Sequence, residues 1–181
     1  MSRLNIVLYE PEIPQNAGNI MRTCVATKAT LHFIRPLGFH LDEAHIKRSG
    51  VNYIEHLEYY IYDDYNDFLK KRIEGNDKAR VYYLTRYGEK SIYDVDAKDL
   101  DKEYYLVLGK ESTGIPKEIL VKDLDHCIRL PMSENVRALN VSNVAAIMAY
   151  EVLRQQGFPD LMQYEPDIDD HGHKGKDYLE R

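Results

Sequence analysis

The 181-residue sequence has few cysteines, no long apolar run and no net positive charge. Its two cysteines, Cys24 and Cys127, lie among apolar residues, so we expect reduced core residues rather than a disulfide. No window reaches the roughly 18 apolar residues of a membrane span, and no small-residue cleavage site follows the N-terminus. These absences exclude the disulfide-rich secreted and membrane-spanning classes and predict a cytoplasmic protein that makes no membrane contact.

The charge is unevenly distributed along the chain. The formal net charge is −6, of which residues 160–181 carry −4. Those residues are polar and aperiodic, so we expect a domain over 1–159 followed by a disordered acidic tail over 160–181. His171 and His173 in this tail have no third ligand at a recognisable spacing, so no metal site is expected. A body of charge −2 still permits nucleic-acid binding, because a local basic patch determines it.

Strand-like and helix-like segments alternate along the rest of the chain. Residues 4–9, 14–27 and 31–36 read as strand, helix and strand, which is a βαβ unit. Further helices are expected at 42–48, at 64–74, after Pro116 and at 141–156, and further strands at 54–62, 80–85, 103–108 and 126–130. Gly157 and Pro159 should end the last helix. The alternation predicts an α/β fold with a mostly parallel sheet and helices on both faces.

A glycine-rich segment, GKESTGIP, follows the strand at 103–108. A phosphate loop needs Lys and then Ser or Thr after its second glycine, but Ile115 and Pro116 stand there. No G-x-G-x-x-G follows the first strand either, which excludes the usual dinucleotide fold. The segment is then either an ordinary strand-to-helix turn or a tight turn, built on Gly109 and Gly114, beside a ligand site at the carboxyl edge of the sheet.

Two other segments carry more polar side chains than capping requires. Asn16 and Arg22 lie on the first helix, where an arginine near the helix start suits a phosphate or carboxylate, although a plain surface arginine is the alternative. The segment 129–143 places three polar side chains at the start of the last helix: Asn140, Ser142 and Asn143. One of them would suffice as a cap, so the surplus suggests a ligand held by loop backbone atoms.

Five blocks in this order and spacing resemble the SPOUT superfamily of RNA methyltransferases: IVLYEPEIPQNAGNIMRTC, IRPLGF, KRSGVNY, LGKESTGIP and IRLPMSENVRALNVSNVAAIMAYE. They are most similar to the small tRNA (cytidine/uridine) 2′-O-methyltransferases that act at the wobble position, and they cover about residues 4–157. The resemblance implies a single SPOUT domain with a C-terminal deep trefoil knot. It also implies a homodimer that uses S-adenosylmethionine, releases S-adenosylhomocysteine and acts on the tRNA anticodon stem-loop.

The resemblance also assigns roles to individual residues. The implied cofactor-binding residues are Leu84, Thr85, Gly109, Glu111, Leu130, Met132, Ala138 and Leu139. The residues implied at the methyl-transfer site are Asn16, Arg22, Ser142, Asn143 and Tyr150. Arg22 is expected to clamp a phosphate and stabilise the developing alkoxide, with the role of a literal base ranked second because a guanidinium stays protonated.

RNA binding requires a positive cluster, and the sequence offers one after the second strand. Arg35, Lys47 and Arg48 are the expected RNA-binding residues, although Lys47 and Arg48 could equally be solvated helix charges. Two other functions remain open at this point: a catalytically inactive dimeric RNA-binding protein with the same fold, and a ribosomal-RNA 2′-O-methyltransferase. The sequence does not distinguish cytidine from uridine as the preferred target.

Overall fold

The computed structural model describes residues 4–41 and 54–164. Within them lie seven strands: β1 (Leu4–Tyr9), β2 (Thr30–Ile34), β3 (Tyr59–Tyr62), β4 (Ala79–Leu84), β5 (Lys90–Ser91), β6 (Glu103–Leu108) and β7 (Cys127–Arg129). They form one sheet in the order β3-β2-β1-β6-β4-β7-β5. Every neighbouring pair is parallel, so all carboxyl ends meet at one edge.

The helices in the described ranges are α1 (Pro14–Thr27), α2 (Tyr65–Phe68), α3 (Lys117–Leu120) and α4 (Val141–Gln155). A π turn over Leu69–Ile73 continues α2, and 3₁₀ turns occur at Ile54–His56, Ile92–Asp94 and Leu124–His126. None of the helices in these ranges is long and apolar enough to cross a membrane. The expected helix at 42–48 lies outside the described residues.

Alternating side chains of the central strands fill two separate cores. Leu4, Ile6 and Leu8 of β1 pack in the core that contains the buried residues of α1 and α4. Val7 of β1 points the other way, into a core that contains Phe68 of α2 and Leu120 of α3. A strand buried on both faces needs helices on both faces. The expected α/β fold with a parallel sheet covered on both sides is therefore confirmed.

Two expected elements are shorter than the sequence indicated. The strand expected at 54–62 covers only Tyr59–Tyr62, which pairs with Leu31–Ile34 of β2, while Ile54–His56 form a 3₁₀ turn instead. The helix expected at 64–74 is one α turn and one π turn. The two-residue strand β5 was not predicted, because it is too short to show a period.

The last helix ends where the sequence indicated. Gly157 has φ +74°, and the N–H of Phe158 bonds back to the carbonyl of Leu153 at 2.9 Å, which closes the final turn. Leu161 packs against the core that contains the buried residues of α1 and α4. Of the tail expected at 160–181, residues 165–181 lie outside the described ranges. Both cysteines are buried, as expected, and burial raises the pKa of each thiol.

Candidate functional site

A cavity of about 730 Å³ opens at the carboxyl edge of β4, β6 and β7. Three loops line it: residues 84–87 after β4, 108–115 after β6, and parts of 129–144 between β7 and the start of α4. Ligand sites of parallel sheets lie at this edge, because the loops that follow adjacent strands converge there. The structure places all eight sequence-predicted cofactor residues in its lining: Leu84, Thr85, Gly109, Glu111, Leu130, Met132, Ala138 and Leu139.

The loop after β6 turns back on itself at the glycine-rich segment. The N–H of Gly114 donates to the carbonyl of Lys110 at 2.8 Å, and Gly114 has φ +76°. A Cβ on Gly109 would lie 2.3 Å from both the Gly114 carbonyl carbon and the Ile115 nitrogen. No side chain fits in that space, so Gly109 is required for the turn to close. Of the two interpretations left open by the sequence, the tight turn beside a cavity is the observed one.

A chain of hydrogen bonds joins two of the three cavity loops, the one after β6 and the one before α4, to the start of α1. Glu111 accepts from the N–H of Glu12 through Oε2 and from the Asn16 amide through Oε1, both at 2.9 Å. Asn16 Oδ1 accepts from the Asn140 amide at 3.0 Å. Asn140 Oδ1 accepts from the N–H and the Oγ–H of Ser142, at 2.8 and 2.6 Å. We call this set, Glu111–Asn16–Asn140–Ser142, the amide chain.

Two further contacts hold the glycine turn against the loop after β1. The carboxylate of Glu12 accepts from the N–H and Oγ–H of Ser112, both at 2.8 Å, and these bonds lower the Glu12 pKa. Lys110 forms an ion pair with Glu10 at 2.7 Å, and this hydrogen bond raises the Lys110 pKa. The glycine turn, which forms one wall of the cavity, is thus held against the loop after β1 through both Ser112 and Lys110.

The residues expected at the methyl-transfer site are not all brought together. Asn16 lines the cavity, and Ser142 is buried in the amide chain. Arg22, Asn143 and Tyr150 are exposed and lie outside the cavity lining. At 100° per residue, positions 16 and 22 of one helix differ by about 120° in direction, so α1 cannot turn both toward one cavity. A single copy of the chain therefore assembles only part of the predicted catalytic set.

The expected RNA-binding patch is only partly described. Arg35 is exposed and forms an ion pair with Asp63 at 3.2 Å; because both side chains are more than half exposed, this pair contributes little to stability. Lys47 and Arg48 lie outside the described residues. No group of three His, Cys, Asp or Glu side chains in the described ranges could hold a metal ion.

Sequence reasoning missed four residues at this site. Asn140 was counted among three polar side chains that exceed what capping requires, but it was assigned no role of its own, although its amide links the last loop to α1. Three arginines line the cavity without having been singled out for it: Arg86, Arg129 and Arg137. Arg86 follows β4, whereas Arg129 ends β7 and Arg137 lies between β7 and α4, so no spacing in the sequence indicates that Arg86 meets the other two. Asn140 had a visible signal, since a residue that caps through Oδ1 leaves its amide nitrogen available to donate.

Comparison with known proteins places the chain among RNA methyltransferases. Residues 3–150 match the profile described as "SpoU rRNA Methylase family". A Bacillus subtilis (strain 168) protein named "Putative tRNA (cytidine(34)-2′-O)-methyltransferase" is 47% identical over 158 residues, covering 87% of this chain and 96% of that protein. A tRNA (cytidine(34)-2′-O)-methyltransferase of Saccharophagus degradans is 41% identical, covering 85% and 96%. A solved structure described as "Structural insights into the 2-OH methylation of C/U34 on tRNA" is 40% identical and has a TM-score of 0.76. The match covers 85% of this chain and 96% of that chain.

Proposed function

This chain belongs to the SpoU rRNA Methylase family, and from that premise we propose that it transfers a methyl group from S-adenosylmethionine to the ribose 2′-hydroxyl of the wobble nucleotide of tRNA. The family resemblance expected from the sequence blocks is confirmed. The observation that carries the proposal is identity of 38–47% to relatives named for this reaction, over 85–91% of the chain. The proposed substrate region is the anticodon stem-loop, with cytidine or uridine as the target.

The cavity fits the proposed cofactor. Its volume of about 730 Å³ is within the range of small-molecule sites. Leu84, Leu130 and Met132 supply an apolar lining, and the turns at Thr85 and Gly109 bring main-chain groups to the wall. We therefore propose that the eight lining residues predicted from the sequence hold the cofactor. When bound, S-adenosylmethionine would supply a methyl group on its sulfonium sulfur. An oxygen nucleophile attacks the methyl carbon in line with the departing sulfur of S-adenosylhomocysteine.

The chain's own residues would orient and activate the ribose. The amide of Asn16 is fixed at the cavity by Glu111 and Asn140, so its position is set before any substrate binds. We propose that Arg22 grips the phosphate beside the target ribose and stabilises the developing alkoxide, because a guanidinium remains protonated and offers a rigid fork of donors. We further propose that Asn143 and Tyr150 contact the RNA or the partner protomer, and that Ser142 holds Asn140 in place.

A homodimer would complete the site. On α1, Gln15, Asn19, Arg22 and Ala26 form one exposed stripe, and on α4, Asn143, Ile147 and Tyr150 form another. The two helices pack against each other and bury their apolar residues in the same core, which supports the proposal that both stripes face the same side of the molecule. We propose that this surface meets a second copy and brings Arg22 of one protomer to the cavity of the other. The exposed Ile147 and Tyr150, at 38% and 47%, are the apolar side chains such an interface would bury.

Two further parts of the proposal concern the chain path and its location. After β7 the chain lines the cavity beside the glycine turn, and α4 then packs against α1, β1 and β6 at the middle of the sheet. This path of the chain, from the edge of the sheet back to its middle, supports our proposal of a C-terminal trefoil knot in a single domain over 1–159, with an acidic tail over 160–181. We place the protein in the cytoplasm because its proposed substrate is tRNA.

The test is incubation of the purified protein with unmodified tRNA and S-adenosylmethionine, followed by nucleoside mapping. We expect one 2′-O-methyl group at position 34. Methylation of ribosomal RNA and not of tRNA would overturn the substrate assignment. Binding of tRNA without methylation would instead indicate an inactive RNA-binding protein, and would overturn the reaction.

A further inference from the structure

We propose that the mouth of the cavity is the RNA-docking surface of this chain, with Arg86, Arg129 and Arg137 binding phosphates and Tyr87 stacking against a base. This inference rests on the proposed function, because it takes the cavity as the methyl-donor site. It locates the docking surface on different residues from the patch that the sequence indicated.

The first support is a charge imbalance around the cavity. Four basic side chains and one carboxylate line it. Lys110 is neutralised by Glu10, and the carboxylate of Glu111 is occupied by the N–H of Glu12 and the amide of Asn16. The other three basic side chains are Arg86, Arg129 and Arg137, and none of them forms an ion pair within residues 4–41 and 54–164. Three guanidinium charges are thus left to be balanced by a ligand.

The proposed methyl donor cannot balance them. S-adenosylmethionine carries a sulfonium and an ammonium against one carboxylate, so it adds a positive charge to the cavity. A polyanion supplies the missing charge, and the planar fork of a guanidinium matches a phosphate in a bidentate geometry. RNA is the anion that the proposed reaction brings to the cavity, and its affinity for proteins comes mainly from phosphate contacts.

The second support is an aromatic side chain at the same rim. Tyr87 is 69% exposed, and the guanidinium carbon of Arg86 lies 4.6 Å from its ring centre. The turn that carries both residues is fixed, because the N–H of Thr85 donates to Ile128 at 2.9 Å and the N–H of Gly88 donates to Thr85 at 3.2 Å. An exposed ring beside arginines is the arrangement used to stack single-stranded bases along a basic groove.

Arg35, from the patch that the sequence indicated, lies farther from the cavity. It follows β2, which is separated from β4 by β1 and β6, a distance of about 14 Å at the usual strand spacing. Arg35 also forms an ion pair with Asp63. The arginines at the cavity mouth are closer to the proposed reaction and carry no such partner, so they are the stronger candidates for the phosphates that flank the target nucleotide.

The test measures tRNA binding against salt concentration for the wild type, Arg129→Gln, Arg137→Gln and a control, Arg80→Gln. Arg80 lies near the amino end of β4, away from the cavity, and its guanidinium donates to the carbonyls of Asp77 and Ala79. Calorimetry with S-adenosylhomocysteine provides a second readout, and a thermal melt verifies that each variant folds.

Each cavity variant should bind tRNA several-fold more weakly and lower the salt slope by about one, while its affinity for S-adenosylhomocysteine stays within about twofold of wild type. The control should match the wild type. Unchanged salt slopes would overturn the inference, and so would loss of S-adenosylhomocysteine binding without a change in slope, which would assign the arginines to the cofactor. If the wild type itself neither binds nor methylates tRNA, the proposed function fails instead.

Discussion

Glu111→Gln is expected to break the amide chain in a way that no rotation of its amides can repair. The chain ends in a backbone N–H at both sides, that of Glu12 and that of Ser142, and a backbone N–H can only donate. The Ser142 end fixes Asn140 with its amide nitrogen toward Asn16, and therefore Asn16 with its amide nitrogen toward Glu111. Position 111 must therefore accept at both terminal atoms, Oε1 and Oε2, which a carboxylate does and an amide, whose nitrogen only donates, does not.

The cost follows from the bond that is lost. A hydrogen bond to a charged group contributes about 1.5–3 kcal/mol, and because this site is partly exposed we expect about 1–2 kcal/mol. For a domain of this size that corresponds to a fall in Tm of roughly 2–8 °C. Since the amide chain joins the cavity loops, the same free energy should weaken S-adenosylhomocysteine binding by about 5- to 30-fold.

A second substitution tests the reasoning itself. When Glu111→Gln is combined with Asn16→Asp, the new amide at position 111 can donate to the new carboxylate at position 16. That carboxylate can still accept from Asn140, so the pattern of donors and acceptors is restored. Urea unfolding of both single variants, the double variant and the exposed control Glu118→Gln measures the coupling. The double variant should be more stable than the sum of its single changes predicts. Additive losses, or a Glu111→Gln variant as stable as wild type, would refute the argument.

Three further changes test other parts of the site and the fold. Arg22→Lys should lower kcat/KM for tRNA methylation at least about tenfold with unchanged cofactor affinity, because the guanidinium fork is lost, and near-normal turnover would contradict its role as a clamp. Gly109→Ala must displace the backbone of Gly114 by about 1 Å, so we expect no S-adenosylhomocysteine binding in calorimetry and a lower Tm; wild-type binding would show that the turn tolerates a side chain. Burial, and then the charge of Arg72, lower the pKa of His32 to about 3 from an unfolded value near 6.5. The stabilisation of the folded state by neutral His32 is therefore complete above about pH 6.5 and is lost as the pH falls toward 3, at up to about 1.4 kcal/mol per pH unit. The free energy of unfolding of His32→Gln, measured with urea, should fall less steeply in acid than that of the wild type.

The sequence predicted the layers of the fold for a physical reason. Leu4, Ile6 and Leu8 alternate with Val7 in a strand buried on both faces, and such a strand needs helices on both sides. The eight residues that the family resemblance implied for the cofactor lie at or after the carboxyl ends of strands β4, β6 and β7, so the parallel sheet brings them to one edge.

The residues of the predicted catalytic set are not all brought together, because a motif does not specify the direction in which each side chain points. Asn16 and Arg22 belong to one block, yet six positions on a helix direct them about 120° apart. The arginines at the cavity mouth were missed because residues that are distant in the sequence meet there. Arg86 and Arg129 are 43 positions apart in the chain, and only the pairing of β4 with β7 makes them neighbours of one cavity.

The bonds of the amide chain span long stretches of sequence. Asn16 is bonded across 95 positions to Glu111 and across 124 positions to Asn140. During translation, the first helix leaves the ribosome long before its last partner is made. A nascent chain therefore cannot complete the amide chain until Asn140 has emerged, and contacts of such high sequence separation predict slow acquisition of activity on refolding.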